Sequence, residues 1–384
     1  MKFKLILILG AFMFFTYISC KKVNVLPTDG KSEIEVLKES LKIPEMPYNY
    51  AAPGLPPFFS NHFVRIQDNT PAGNNVTDWG ATLGRVLFYD TRLSKNYTIS
   101  CASCHIQEFG FTDTSKFSKG FMGGLTKRHS MSLLNSCFYL SGRFFWDERA
   151  ATLEEQVLMP IQDPVEMGMR LDSLDSRLRT TAYYPILFKY AFGSSEINSL
   201  NISKALAQFV RSMISYQSKY DIGRAMTIAK EDDFPNFSVQ ENIGKNIFMS
   251  NTKINCAGCH TTDVFIMDNP RNNGISISND DEGVYVHTKD NRDIGKFKVP
   301  SLKNIAQRVN FMHDGSIRGL DGVLNHYNLM ILPNPNLDIH LQDISGNPRT
   351  MNLSVDEIDA LKAFLLTLTD TEITKDVKFS SPYY

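Results

Sequence analysis

One five-residue pattern, C-x-x-C-H, occurs twice in this chain, as CASCH at 101–105 and as CAGCH at 256–260. Two thiols at this spacing can add to the two vinyl groups along one edge of a porphyrin, and the histidine that follows is then held beneath the iron. A single copy would also fit a redox cysteine pair or half of a zinc site, but two copies predict two covalently attached haem c groups. The residues that carry this prediction are Cys101, Cys104, His105, Cys256, Cys259 and His260.

The N-terminus has the pattern of an export signal. Lys2 and Lys4 precede an apolar run over 5–18, which is too short for a comfortable transmembrane span. The run ends in YISC and resembles a bacterial lipobox, so Cys20 is expected to become the lipidated first residue of the mature protein. The alternative is an ordinary signal peptide with an incidental cysteine. We predict an exported lipoprotein of the cell envelope, held to a membrane by its lipid alone and facing the periplasm or the cell surface.

Length and charge set further bounds. The 384 residues suffice for two or three domains, and the net charge of −1 indicates no nucleic-acid partner. The remaining cysteine, Cys137, lies in an apolar stretch and is predicted to be a buried structural thiol rather than a reactive one.

The residues before each motif are also repeated, as LGRVLF at 83–88 and IGKNIF at 243–248. Because no segment shows the alternation typical of strands, the predicted fold class is all-α, with two cytochrome c-like helical haem domains in tandem. The predicted divisions are a lipoprotein signal peptide at 1–20, a tether and N-terminal arm at 21–75, a first haem domain at 76–228, a linker at 229–238 and a second haem domain at 239–384.

Two capping patterns and one apolar spacing predict three helices. Thr152-x-x-Glu155 opens a short helix that Pro160 is expected to end, and Ser354-x-x-Glu357 opens a longer one. The stretch 199–216 has the apolar spacing of an amphipathic helix.

Further segments give the chain a family resemblance. FFWDER at 144–149, LEEQ at 153–156 and PIQDPVEM at 160–167 resemble the bacterial di-haem cytochrome c peroxidase and MauG family. The second half is similar as well, in VPSLKN at 299–304, FMHDG at 311–315 and HYN at 326–328. The resemblance covers roughly residues 80–370 and keeps the family's order of motifs.

The resemblance implies that the first haem is the peroxide site and the second handles electrons. His105 would be the proximal ligand, Trp146 would lie between the haems, and Gln156, Pro160 and Glu166 would line the distal pocket. Peroxide cleavage needs a group that moves a proton from one oxygen to the other, and this segment has no histidine, so Glu166 is the best candidate. The plainer readings are a surface carboxylate for Glu166 and a core side chain for Trp146.

The chain departs from the better-known peroxidases at the first haem. Those proteins have a second histidine ligand sixteen residues after the proximal one, where this chain has Phe121. Because phenylalanine cannot bind iron, the first haem is expected to be five-coordinate and open to peroxide without pre-reduction. Met122 and His129 are the alternative ligands if the loop moves.

A second departure concerns the other haem. Where those peroxidases have an axial methionine, this chain has Tyr327, as in MauG-like members. A phenolate stabilises ferric iron and lowers the potential, whereas a thioether raises it. His326, Met330 and Met312 are the alternative ligands at this haem.

The family often binds calcium between the haems through an asparagine, and His129 occupies that position here. Imidazole is a poor calcium ligand, which leaves backbone carbonyls and water as the expected ligands if calcium is bound.

The function predicted from these features is reduction of hydrogen peroxide, with electrons from a small donor protein, a cytochrome c or a cupredoxin. One alternative is MauG-like oxidation of a protein or organic substrate, and another is a non-catalytic electron-transfer module. Family relatives are often dimers, so a homodimer is a further expectation.

Overall fold

The computed structural model describes residues 30–251, 255–278 and 280–384. Cys20 and the predicted signal peptide lie outside these residues, so the lipoprotein remains a prediction. Within the described ranges, none of the helices has the length and apolar character needed to cross a membrane.

The described chain is mainly helical, which confirms the all-α prediction. It also contains two small antiparallel sheets that were not predicted. The helices are α1 Glu33–Ser40, α2 His62–Arg65, α3 Asp78–Tyr89, α4 Leu153–Gln156, α5 Met159–Gln162, α6 Leu171–Leu178, α7 Tyr183–Phe192, α8 Ser199–Arg211, α9 Lys219–Ala225, α10 Val239–Met249, α11 Cys256–Cys259, α12 Tyr285–Thr288, α13 Gly319–Leu329 and α14 Val355–Leu366. The strands are β1 Met267–Arg271, paired with β2 Phe297–Val299, and β3 Asn310–Phe311, paired with β4 Ile317–Arg318.

The repeated segments form two equivalent helix pairs. The helix before the first motif, α3, packs along α8, and the helix before the second, α10, packs along α14. A side chain at Gly84 would lie 2.0 Å from the Ala205 carbonyl oxygen, and one at Gly244 would lie 1.8 Å from the Ala360 carbonyl oxygen. The glycine of the repeat is therefore required because the two backbones touch at that point.

The residue after each glycine is a buried cation that binds backbone carbonyls. Arg85 donates from Nε to the Ser380 oxygen at 2.7 Å. Lys245 donates from Nζ to the oxygens of Lys230 and Glu231, at 3.1 Å each. Carbonyl groups satisfy part of the hydrogen-bonding capacity that these charges lose on burial.

Two apolar cores follow from the two helix pairs. Phe88 of α3 and Phe209 of α8 belong to the first, and Phe248 of α10 and Phe364 of α14 belong to the second. In the predicted linker 229–238, Phe234 and Phe237 belong to the second core.

The end of the chain returns to the first core. Ile373 and Phe379 are buried there, and the Tyr383 hydroxyl donates to the Val86 oxygen at 3.0 Å. The second haem domain was predicted to run to residue 384, whereas these last residues complete the first core. Nothing in the repeat pattern indicates this return.

The capping patterns are largely confirmed. Thr152 accepts from the Glu155 N–H at 3.1 Å and opens α4, and both bonds of the box at Ser354 are formed. Pro160 does not end α4, which stops at Gln156, but lies in the first turn of α5, where its missing N–H costs nothing. The predicted helix at 199–216 ends earlier, at Arg211.

Candidate active site

The first motif presents a histidine with one nitrogen fixed. Its cysteines lie in a tight turn in which the His105 N–H donates to the Cys101 oxygen at 3.0 Å. In the ring, Nδ1 lies 3.0 Å from the Phe111 carbonyl oxygen, which can only accept, so Nδ1 carries the proton. The Ser130 hydroxyl donates to the Cys104 oxygen at 2.8 Å and lies 3.2 Å from the same Nδ1. Burial lowers the pKa of His105 and keeps the ring neutral, which leaves Nε2 as a ligand atom.

A cavity lies beside this histidine. Its lining contains Cys101, Cys104 and His105 together with Gln156, Pro160 and Glu166. The rest of the lining is largely apolar and includes Phe88 and Leu133 as well as Leu206 and Val210 of α8. The structure therefore brings the first haem motif and the three predicted distal residues to one cavity.

Glu166 is held at this cavity by a short turn. The Asp163 carboxylate accepts from the N–H groups of Val165 and Glu166, at 2.8 and 3.1 Å. Burial and, to a smaller extent, the charge of Asp163 raise the pKa of Glu166 to about 7, against the opposing charge of Arg149. A carboxyl group with this pKa is present in both protonation states near neutral pH, so it can take up a proton and return it.

A hairpin over 118–126 lies on the segment that carries Glu166. The Phe121 N–H donates to the Glu166 carbonyl oxygen at 2.9 Å. A side chain on Gly120 would lie 1.7 Å from the Val165 oxygen, and one on Gly168 would lie 2.5 Å from the Phe121 ring. The two glycines therefore let the hairpin and the Phe121 ring pack directly against this segment.

The alternative ligands at the first haem lie elsewhere. Met122 is 77% exposed, and the His129 ring is buried with Nδ1 3.1 Å from the Lys116 oxygen. None of Phe121, Met122 and His129 is among the described residues that line the cavity.

Trp146 does not line the cavity but lies where the two halves of the chain meet. Its Nε1 donates to the His129 oxygen at 2.8 Å, and its own carbonyl oxygen accepts from the Lys298 N–H at 2.8 Å. The His129 N–H in turn donates to the His313 oxygen at 2.8 Å. The indole is thus fixed by backbone bonds that connect the first half with the second. The other tryptophan, Trp79, packs against Tyr190 in the first core.

The second motif is a single helical turn, α11, in which the His260 N–H donates to the Cys256 oxygen at 2.9 Å. Burial lowers the pKa of His260 to about 4. Backbone groups of Phe265 and Pro300 lie near the ring, but within the described residues Nδ1 has no partner of good hydrogen-bond geometry. This histidine is therefore neutral like His105 but less firmly anchored.

Tyr327 of α13 packs against the second core, as Cys256 and Ala257 of the second motif do, and the motif thiols are near enough to affect its pKa. Burial raises the pKa of its hydroxyl, and a hydrogen bond from the Asn273 side chain opposes this shift. Its role as a ligand of the second haem stays a prediction.

The other candidate ligands near this haem are engaged or turned outward. His326 donates from Nε2 to the Asn273 carbonyl oxygen at 3.0 Å. Met312 accepts on Sδ from Asn273 Nδ2 at 3.1 Å, and Met330 is 56% exposed.

The residues present fit two haem groups. Each motif places two cysteines next to a half-buried histidine whose pKa is lowered by desolvation. Arg308 is half-buried, its charge acts on both His129 and His260, and its buried Nε has no partner within the described residues. A cation with a spare buried donor near the second motif suits the propionate groups that a haem carries. Calcium remains a prediction.

Sequence reasoning missed Ser130, Asn273 and Arg308. None of them belongs to a spacing pattern, and each matters through partners far away along the chain. Cys137 is buried as predicted.

Comparison with known proteins adds family membership to this geometry. The family model for di-haem cytochrome c peroxidase matches residues 79–226. The MauG methylamine utilization protein of Methylophilus methylotrophus is 35% identical over 257 residues, 67% of this chain and 74% of that protein. The corresponding protein of Methylorubrum extorquens is 31% identical over 295 residues, 76% of this chain and 81% of its own. The cytochrome c551 peroxidase of Nitrosomonas europaea is 30% identical over 293 residues, covering 75% and 79%.

Solved structures agree. A MauG-like protein associated with microbial copper homeostasis superimposes with a TM-score of 0.69 at 30% identity, over 82% of this chain and 96% of that one. The diheme peroxidase BthA from Burkholderia thailandensis shares the fold, with a TM-score of 0.65 at 22% identity over 80% and 91% of the two chains. This chain belongs to the di-haem cytochrome c peroxidase and MauG family.

Proposed function

We propose that this protein is a peroxidase that reduces hydrogen peroxide to water with electrons from a small redox protein, a cytochrome c or a cupredoxin. One observation carries the proposal. Glu166, whose pKa is raised to about 7, shares a cavity with His105 and with Gln156. An electron-transfer module needs no proton-transfer group at its iron, whereas peroxide reduction does.

The chain's own residues supply the proton chemistry. A haem attached to Cys101 and Cys104 and bound by His105 would supply an iron that holds peroxide and passes electrons to it. The ionised Glu166 carboxylate takes a proton from one peroxide oxygen and returns it to the other, while the Gln156 amide donates a hydrogen bond that orients the molecule. One peroxide, two electrons and two protons give two waters. The apolar wall limits competing water.

We propose further that the first site is open before any reduction. Phe121 has no ligand atom, and its ring is packed against Gly168. Its N–H is bonded to the Glu166 oxygen, so the hairpin and the segment that carries Glu166 are connected. Moving Met122 to the iron would break this contact.

Tyr327 is proposed as the axial ligand of the second haem, and Trp146 as the side chain through which the two haems communicate. A phenolate would hold the second haem at low potential, so that it shares oxidising equivalents rather than storing an electron. Trp146 suits the second role because it is fixed by backbone bonds to both halves of the chain.

The cellular setting is also a proposal. The apolar run and the YISC sequence support an exported lipoprotein anchored through Cys20, and maturation of c-type haems outside the cytoplasm agrees with export. A homodimer is proposed from the family alone.

The test uses the purified, fully oxidised holoprotein without pre-reduction. One equivalent of hydrogen peroxide is added in a stopped-flow instrument, and reduced cytochrome c is supplied in a second mix. We expect a fast change in the haem spectrum, followed by oxidation of the cytochrome. A fast change that cytochrome c cannot reverse would favour the MauG-like oxidase instead. No response until an electron is supplied would contradict the open first site.

A further inference from the structure

Several side chains near the second motif could bind the iron, and Asn273 contacts most of them. Met330 is turned to the surface, where its Sδ accepts from Asn325 Nδ2 at 3.1 Å. The others are Tyr327, His326 and Met312. The structure therefore poses the question of what favours Tyr327 over His326 and Met312.

Asn273 binds both competitors. Its carbonyl oxygen accepts from His326 Nε2 at 3.0 Å, and its side-chain Nδ2 donates to Met312 Sδ at 3.1 Å. Its Oδ1 accepts from the Ile275 N–H at 3.3 Å, which orients the amide so that its N–H groups point toward the ligand side chains. The same side chain lies close enough to the Tyr327 hydroxyl to lower its pKa.

The backbone around Asn273 is held on both sides. The carbonyl oxygen of Asn272 accepts from the Asp338 N–H at 2.9 Å, and that of Gly274 accepts from the Leu332 N–H at 2.9 Å. Gly274 has φ +67, and a side chain there would lie 2.7 Å from Ile331. Asn273 is therefore presented from a rigid support, which a positioning residue requires.

Met312 is held by the Asn273 side chain, whereas His326 is held by the Asn273 backbone carbonyl. Met312 has φ 72, a left-handed backbone conformation that is uncommon for a residue with a long side chain. Like Tyr327 and Cys256, it packs against the second core. Because its Sδ is bonded to the same Asn273 side chain that lies near the Tyr327 hydroxyl, a thioether is available close to the proposed ligand.

We propose that Asn273 selects the axial ligand of the second haem, holding His326 with its carbonyl, holding Met312 with its amide and supporting the Tyr327 oxygen with the same amide. The inference rests on the proposed assignment of Tyr327 as that ligand. Asn273 acts as a positioning residue, because it touches the ligands and not the reacting peroxide. Its effect is to keep the second haem at low potential, since a thioether in place of the phenolate raises the potential.

The test follows the second haem in the full-length holoprotein by absorption and EPR spectra and by potentiometric titration. In Asn273→Ala the amide is lost but the backbone carbonyl stays, so Met312 is released and His326 is not. We expect the phenolate signature to be lost, at least in a fraction of the molecules, with thioether ligation and a higher midpoint potential in its place. Asn273→Asp keeps the shape of the side chain but brings a negative charge to the phenolate, so it should move the spectrum in the same direction.

Two further variants separate ligand selection from a general structural effect. Met312→Leu in the Asn273→Ala background removes the competing thioether, and we expect it to restore the phenolate spectrum and the low potential. Asn325→Ala removes an asparagine–methionine hydrogen bond of the same length at the surface, and it should change neither quantity. The inference is overturned if Asn273→Ala and Asn273→Asp keep the wild-type spectrum and potential, or if Met312→Leu restores nothing.

Tyr327→Phe separates this inference from the assignment beneath it. If Tyr327→Phe leaves the second-haem spectrum unchanged, the ligand assignment itself is wrong. If Tyr327→Phe alters the spectrum while the Asn273 variants do not, only the role of Asn273 fails. Peroxide reactivity of the first haem, measured in the same variants, tests the proposed function separately.

Discussion

The two haem sites of this protein are built on equivalent helix pairs but differ in the residues that lie near the attachment motif. In both, a helix with a buried glycine packs against a long helix, and the motif follows within a short distance along the chain. The first site opens to a cavity with Glu166 and Gln156, whereas Tyr327, the proposed ligand, lies near the second motif. The repeat therefore determines where a haem is attached, and residues outside the repeat determine whether it can meet peroxide.

The histidines beneath the two haems differ as well. His105 donates to a carbonyl and lies against Ser130, whereas Nδ1 of His260 has no partner of good geometry within the described residues. A hydrogen bond at this nitrogen makes the imidazole a stronger donor to iron and stabilises the oxidised metal. The better-anchored histidine thus lies beneath the haem that is proposed to receive peroxide.

The largest expected effect is on the rate of peroxide reduction and tests whether proton transfer distinguishes the first site from the second. Glu166→Gln removes the proton carrier from the first site and should slow peroxide reduction by about 10²–10⁴-fold. Because the ionised carboxylate takes the first proton, the wild-type rate should rise as the pH increases through about 7, the pKa to which burial raises Glu166. The measurement is the second-order rate of the peroxide reaction by stopped flow between pH 5.5 and 8.5, roughly the range that spans that pKa.

A matched control is Glu155→Gln, which alters an exposed carboxylate at the end of α4. It should leave both the rate and its pH profile as in the wild type, and neither variant should change the spectrum of the second haem. An unchanged rate in Glu166→Gln would remove the argument for a functional difference between the sites.

The next largest effect is on stability and tests the glycine contact that both sites share. Gly84→Ala and Gly244→Ala each force a side chain into a backbone oxygen, at 2.0 and 1.8 Å, and each should lower the free energy of unfolding by about 1–3 kcal/mol. The losses should be similar because the two contacts are equivalent. Denaturant unfolding followed by circular dichroism measures them. Gly73→Ala, where a side chain would meet nothing within 4 Å, is the control. A large loss at one glycine and none at the other would show that the scaffolds are not equivalent.

The smallest effect concerns the proximal histidines. Ser130→Ala removes one hydrogen-bonding partner of His105, which should cost about 1 kcal/mol of stability and raise the potential of the first haem slightly. Potentiometric titration measures both haems in one sample. Ser301→Ala removes a buried hydroxyl that donates to the Val264 oxygen, so it should leave both potentials in place. A shift at the second haem in Ser130→Ala would argue against a local effect.

The sequence alone predicts the features of this molecule that short sequence patterns define. The two attachment motifs, the glycine repeat and the caps at Thr152 and Ser354 depend on residues a few positions apart, so local chemistry suffices to find them. Glu166 and Tyr327 required more, namely the family's order of motifs.

What the sequence does not reveal depends on contacts between distant segments. Asn273 and Ser130 have no signature of their own, and their importance arises only when α13 or the first motif is folded against them. The small sheets were missed for a related reason, since strands as short as β3 and β4 show no alternation to detect. Pro160 was misread because a proline can begin a helix as well as end one.

The return of the chain's last residues to the first core has a consequence for the order of assembly. The bond between Arg85 and Ser380 spans 295 positions, and that between Tyr50 and Lys378 spans 328. The second core, by contrast, consists of residues between Tyr220 and Leu368. On a chain that is made from its N-terminus, all residues of the second core are present before the first core is complete. The half of the molecule that is synthesised first is therefore the half whose core is completed last.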